Sequence, residues 1–165
     1  MLNQTKLSPA ARALMVQGDR LLDAGQESEG AAAYAQAQQR AQAEGDLETL
    51  AMAAGNLGNL ALHGGRPAEA LEPYITAAKA YRAIGDPSWA AAMLTSRGNA
   101  LEDLGRLDDA LRQHREAVAV AEAAGATDWH GRALNNQGNV LAHLQDFPAA
   151  AQAHEQALQL AEALH

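Results

Sequence analysis

The sequence predicts an all-α solenoid of four helix–turn–helix repeats, eight helices in all. Three observations carry this expectation. First, Gly18, Gly58, Gly98 and Gly138 lie 40 residues apart, each inside a stretch that otherwise reads as helix. An interior glycine costs about 1 kcal/mol relative to alanine, so four at one interval need a common cause. Second, other columns keep the same spacing: Asp19/Asn59/Asn99/Asn139, Gly30/Ala70/Ala110/Ala150, Tyr34/Tyr74/His114/His154 and Ala37/Ala77/Ala117/Ala157. Third, turn signals divide each block once in its middle and close it at its end.

The elements follow in order. A lead-in, residues 1–10, ends on Ser8-Pro9, a helix-start signal. The blocks are then 11–50, 51–90, 91–130 and 131–165, read as one solenoid domain. Mid-block turns are AGQE (24–27), GGRP (64–67), LGRL (104–107) and LQDF (144–147). Closing turns are EGD (44–46), IGDP (84–87) and AGATD (124–128), and the fourth block has no closing glycine. Asp46 and Asp86 are expected N-caps, and Pro67, Pro87 and Pro148 suit a first helical turn. Connections this short make neighbouring helices antiparallel. The glycine and the small residue on the partner helix let two axes approach closely, and the Tyr/His column is expected to fill the space between hairpins.

Composition narrows the partners. The chain has 165 residues, enough for a sizeable core, and 48% of them are hydrophobic, so it is not a disordered chain. Aromatics are only 4%, which favours closely packed helices with small contact residues. The net charge is −8, with only two lysines, Lys6 and Lys79. An acidic chain without a basic cluster argues against nucleic acid and anionic membranes as partners. There is no cysteine, hence no disulfide framework and no thiolate metal site. The start, MLNQTKLSPA, lacks a signal-peptide apolar core, and no apolar run reaches membrane-spanning length. The expected location is the cytoplasm.

The Gly18/58/98/138 column, the small Gly30/Ala70/Ala110/Ala150 column, Tyr34, Tyr74 and the Ala37 column together resemble the tetratricopeptide repeat family over residues 11–165. That repeat is usually about 34 residues long; the 40-residue period is similar to the longer-helix variety of kinesin-light-chain-type arrays. The sequence departs from the family where Gln17, Arg97 and Gln137 stand in Leu57's column, and where His114 and His154 replace an aromatic ring. The resemblance implies a right-handed superhelix whose first helices line a concave groove and whose second helices form the convex back. It also implies a non-catalytic scaffold or adaptor that binds a protein or peptide partner and needs no cofactor.

Helical spacing then assigns residues to the groove. In the fourth repeat the stripe through Asn139 holds Trp129, Arg132, Asn136 and His143. In the third it holds Trp89, Ser96, Asn99 and Asp103, and in the second Asn56, Asn59 and His63. The row Asn59, Asn99 and Asn139 looks like the asparagine ladder of long-repeat members of the family. An Asn side chain offers an acceptor and two donors, and so pairs with the N–H and C=O of an extended peptide whatever its side chains. The same column also suits a structural role, bonding neighbouring helices. Trp89 and Trp129 are candidate apolar anchors or packing residues. Arg12, Arg97 and Arg132 are candidate carboxylate contacts, Arg97 from a column that is normally buried.

No catalytic or metal-binding pattern emerges. There is no HxxxH or HExxH motif, no phosphate loop after a strand, and EDLGRLDDA (102–110) lacks the order of a calcium loop. His114 and His154 share a packing column. The chain is expected not to be an enzyme. Leu158, Leu160 and Leu164 make the last helix apolar for a terminal element. Continuation into a longer chain, a homodimer contact or a self-sufficient amphipathic helix would each account for it. A second functional reading is a small acidic chaperone or regulator that sequesters a client.

Overall fold

The computed structural model describes residues 7–163. Residues 1–6 of the lead-in, with Lys6, and Leu164 at the other end lie outside it. Eight helices run in order: α1 (Pro9–Asp23), α2 (Glu27–Glu44), α3 (Leu47–His63), α4 (Pro67–Ala83), α5 (Pro87–Asp103), α6 (Leu107–Ala123), α7 (Thr127–His143) and α8 (Phe147–Glu162). No strand occurs among the described residues. The fold is an α-solenoid of four helical hairpins, as the repeat requires. It divides into two compact units between Asp86 and Pro87.

Each hairpin begins and turns for local reasons. The Ser8 hydroxyl caps α1 by accepting from the Ala11 N–H, and Pro9 takes the first helical position. Asp46 and Asp146 cap α3 and α8 in the same way, accepting from the Thr49 and Ala149 N–H groups. Pro67 and Pro87 open α4 and α5. The chain reverses every 20 residues through a left-handed backbone position: Gly25, Gly45, Gly65, Gly85, Gly105 and Gly125 all have positive φ. The seventh reversal uses Gln145 at φ 64°, a conformation that side chains with a Cβ adopt at a cost. Helix and turn therefore form a 20-residue half-repeat, and the 40-residue period is two of them.

In the first unit, α1 and α2 form one hairpin and α3 and α4 the next, with α3 packed on α2 and touching α1. One core cluster joins Ala11, Ala41, Leu50, Ala51 and Ala80; another joins Met15, Tyr34, Ala37 and Ala53, with Leu57 and Leu60 against it. The start of α1 is tied to the start of α3. The Ser8 N–H donates to the buried Asp46 carboxylate at 2.8 Å, and the Thr49 N–H and hydroxyl donate to it at 3.0 and 2.7 Å. Burial alone would raise the Asp46 pKa; the donated hydrogen bonds and the nearby Arg12 charge outweigh it and hold the carboxyl below its usual value.

In the second unit, α5 pairs with α6 and α7 with α8, while α7 packs on α6 and contacts α5. Leu94, Leu101, His114, Val140, Ala117 and Ala133 are fully or almost fully buried there.

The glycine columns have a more specific cause than close helix approach alone. A Cβ added at Gly18 would stand 2.6 Å from the Tyr34 ring, and one at Gly58 2.7 Å from Tyr74. At Gly98 and Gly138 it would meet the rings of His114 and His154 at 2.3 and 2.6 Å. The Tyr/His ring is thus seated on the glycine of its own hairpin, not placed only in the space between hairpins. The reason is steric: a glycine leaves a flat notch in α1, α3, α5 and α7 that one planar ring fills.

Candidate functional site

The expected groove residues fall into two groups, one in each unit. In the first unit Asn59 is exposed on α3, and its side-chain carbonyl accepts from the Tyr74 hydroxyl at 2.9 Å. The Tyr34 hydroxyl donates to Asp19, the preceding member of the same column, at 2.5 Å, and Asn56 also hydrogen-bonds that hydroxyl. Burial, then the Asp19 carboxylate, pushes the Tyr34 pKa up to about 12. Asn56 therefore ties α3 to the first hairpin, and Asn59 braces the ring seated on Gly58. His63 is exposed at the end of α3.

In the second unit the residues converge. A cleft of about 770 Å³ is lined on one side by Thr95, Ser96, Asn99, Arg132 and Asn136 from α5 and α7. Its other side is Ala157, Leu158, Leu160 and Ala161 of α8. Asn136 donates its amide to the Asn99 carbonyl oxygen at 2.9 Å. That bond leaves the Asn99 amide hydrogens and the Asn136 carbonyl to spare. Asn139 is exposed one turn further along the same face of α7.

The aromatic and charged residues engage different partners. Trp89, about half exposed, and Trp129 pack on each other with ring centroids 6.3 Å apart and tilted by 47°. The Arg132 guanidinium lies 5.2 Å from the Trp129 centroid, a cation–π geometry that holds an exposed cation at the cleft. The other two arginines are engaged elsewhere. Arg12 pairs with Glu48 at 2.7 Å and stands 4.0 Å from Asp46; Arg97 is turned onto Gln113. His143 faces Glu102 at 3.1 Å. Sequence spacing missed Asn135, which meets the His154 imidazole at 3.2 Å, and the whole α8 wall. The signal for that wall was present: Ala157 continues the Ala37 column.

Among the described residues no group of three or more His, Asp or Glu side chains is placed to hold a metal ion. Among the same residues no helix is long and apolar enough to cross a membrane.

These hairpins, with a planar ring seated on a helical glycine, define an α-solenoid repeat protein. Residues 89–163 match the model of the tetratricopeptide repeat, and the same columns run back at the same interval to Ala11. No curated protein matches the chain. Among solved structures it is similar to BtubC (BKLC) from P. vanneervenii, with a TM-score of 0.79 at 18% identity over 96% of this chain and 66% of that one. It is also similar to the apo form of RapI, TM-score 0.84 at 14% identity over 94% of this chain and 44% of that one. Aspartyl phosphate phosphatase F from Bacillus subtilis gives 0.80 at 14% identity over 96% of this chain and 42% of that one. At such identities the likeness is one of fold, and the chain spans between 42% and 66% of the length of these proteins.

Proposed function

We propose that this protein is a non-catalytic interaction scaffold that holds an extended segment of a partner protein. The observation that carries the reading is the cleft of the second unit. Ser96, Asn99 and Asn136 line it with hydroxyl and amide groups whose hydrogen-bonding capacity is not exhausted by the Asn136–Asn99 bond. A row of amides at helical spacing suits the alternating donors and acceptors of an extended main chain. Asn139 continues the row, Arg132 adds a cation, and Trp129 with Trp89 adds an apolar rim. Asn59 and Asn56 are the matching positions of the first unit, with His63 and His143 at the ends of their helices. The acidic balance of the chain favours a protein partner over nucleic acid.

The test is selection of binders from a displayed random-peptide library on the wild-type chain. A selected peptide is then remade with N-methyl groups on its central amides. Main-chain recognition predicts that methylation removes binding, and that Asn99→Ala/Asn139→Ala weakens it while circular dichroism is unchanged. The apolar wall of α8 favours a second reading, a chaperone that sequesters a client by burying its side chains. In that case the methylated peptide binds as well as its parent, and the main-chain reading is lost.

A further inference from the structure

In α7 the residues turned to the preceding hairpin are buried: Ala133 is 0% and Leu134 5% exposed, and Leu134 borders the same small cavity as Val118 and Glu122 of α6. The equivalent column in the first unit behaves likewise, since Ala53 of α3 packs with Tyr34 and Ala37 of the hairpin before it. Among the described residues the same surface of α1 is covered only in part, Leu14 resting against the core of its own hairpin. α1 repeats α7 residue for residue at Arg12/Arg132, Ala13/Ala133, Leu14/Leu134, Gln17/Gln137, Gly18/Gly138 and Leu21/Leu141. Yet Ala13 and Gln17 are exposed and Leu14 and Leu21 only half-buried.

The receiving surface is repeated too. α6 ends AVAVAEA (117–123) and α8 ends ALQLAEA (157–163). Ala117 and Ala121 of α6, packed by α7, are both 0% exposed. Ala157 and Ala161 occupy the same columns of α8, but Ala161 is exposed, and Leu158, in the column of Val118, is 59% exposed. The last hairpin thus keeps the apolar seat that holds α7, and α1 keeps the face of α7 that fills it.

We propose that a second copy of this chain docks its α1 on the α8 face, reproducing between copies the junction that α6 and α7 make within one. The contact joins two different surfaces, so a docked pair still presents one free α1 and one free α8 and adds further copies, as a ring or a filament according to the rotation between copies. A symmetric α8–α8 contact is disfavoured by charge, because α8 carries Glu155 and Glu162 and neither Lys nor Arg.

Sedimentation analysis of the full chain over a concentration series tests this. The average mass is expected to rise with concentration past that of a dimer. Ala13→Glu and Leu158→Glu alter exposed helical positions where Glu is a good helix former, so each is expected to stay folded by circular dichroism. Each alone is expected to be a monomer. Mixed, they are expected to give a 1:1 complex that grows no further, because the intact α8 of one accepts the intact α1 of the other. A wild-type monomer up to the solubility limit overturns the proposal. So does a dimer of Ala13→Glu alone, which would mean symmetric α8 pairing, or wild-type assembly of Leu158→Glu.

Discussion

His114 shows how much one residue in a repeated column can depart from its neighbours. Tyr34 and Tyr74 occupy the same seat and send their hydroxyls to Asp19 and Asn59. His114 is fully buried, and both of its ring nitrogens lack a hydrogen-bond partner. Burial lowers its pKa from 6.5 to about 4, so it folds as the neutral imidazole. The sign follows. Above pH 6.5 the ring is neutral in both the folded and unfolded chain and the full stability is present. Between 6.5 and about 4 only the unfolded chain takes up the proton, and stability falls with pH. The loss amounts to about 3 kcal/mol, to order of magnitude, by the bottom of that window. Urea unfolding at pH 7 and pH 4.5 measures it. His114→Tyr is expected to flatten this part of the pH dependence and to gain about 1 kcal/mol at pH 7, by removing two unpaired buried nitrogens.

The glycines beneath the rings make a second, differential prediction. At Gly98 an added methyl group meets His114, which is enclosed and has nowhere to go. Gly98→Ala is expected to destabilise by about 1–3 kcal/mol in spite of alanine's better helix propensity. At Gly138 the ring belongs to His154, which is only partly buried, unlike the enclosed His114. Gly138→Ala is expected to be near neutral. Thermal unfolding of the two variants side by side gives the contrast; equal losses would mean that the notch, rather than ring enclosure, sets the cost.

At the scale of the elements, the turns and caps decide where each helix stops. Six reversals use glycine in the left-handed region and one uses Gln145. Gln145→Gly is therefore expected to stabilise by about 1 kcal/mol, a gain that denaturant unfolding detects. Asp46 fastens two helix starts at once, and Asp46→Ala would leave the Ser8 and Thr49 N–H groups without their acceptor. A loss of about 2 kcal/mol is expected. Because the folded carboxyl is held below its usual value, its contribution is present above about pH 4 and lost as the pH falls further.

Much of this was legible in the sequence. Turn glycines and N-caps act locally, so the boundaries of the eight helices follow from AGQE, GGRP, EGD and their equivalents. Pro73, inside α4, is an exception to the reading of proline as a start signal. The buried link from Ser8 to Asp46 was not legible, because it joins residues 38 apart and the cap signal says nothing of a second donor.

For the whole molecule, the repeat announced the architecture because each hairpin has the same steric requirement at the same position. The candidate site was legible only as a column. Periodicity put Asn59, Asn99 and Asn139 at one helical position. It did not separate Asn59, which braces Tyr74, and Asn99, which accepts from Asn136, from Asn139, which lies exposed. Nor did it distinguish Arg12 and Arg97, engaged by Glu48 and Gln113, from Arg132. Those differences depend on which partner stands opposite, and that is fixed by packing between hairpins.

The central claim is that the amide face of the second unit binds a partner's main chain. The most direct measurement is the affinity of one selected peptide for the wild-type chain and for Asn99→Ala/Asn139→Ala, by isothermal titration. A loss of about tenfold or more, roughly 1.4 kcal/mol, is predicted with the fold intact. Equal affinity for both proteins would contradict the claim and leave the asparagines as struts between helices.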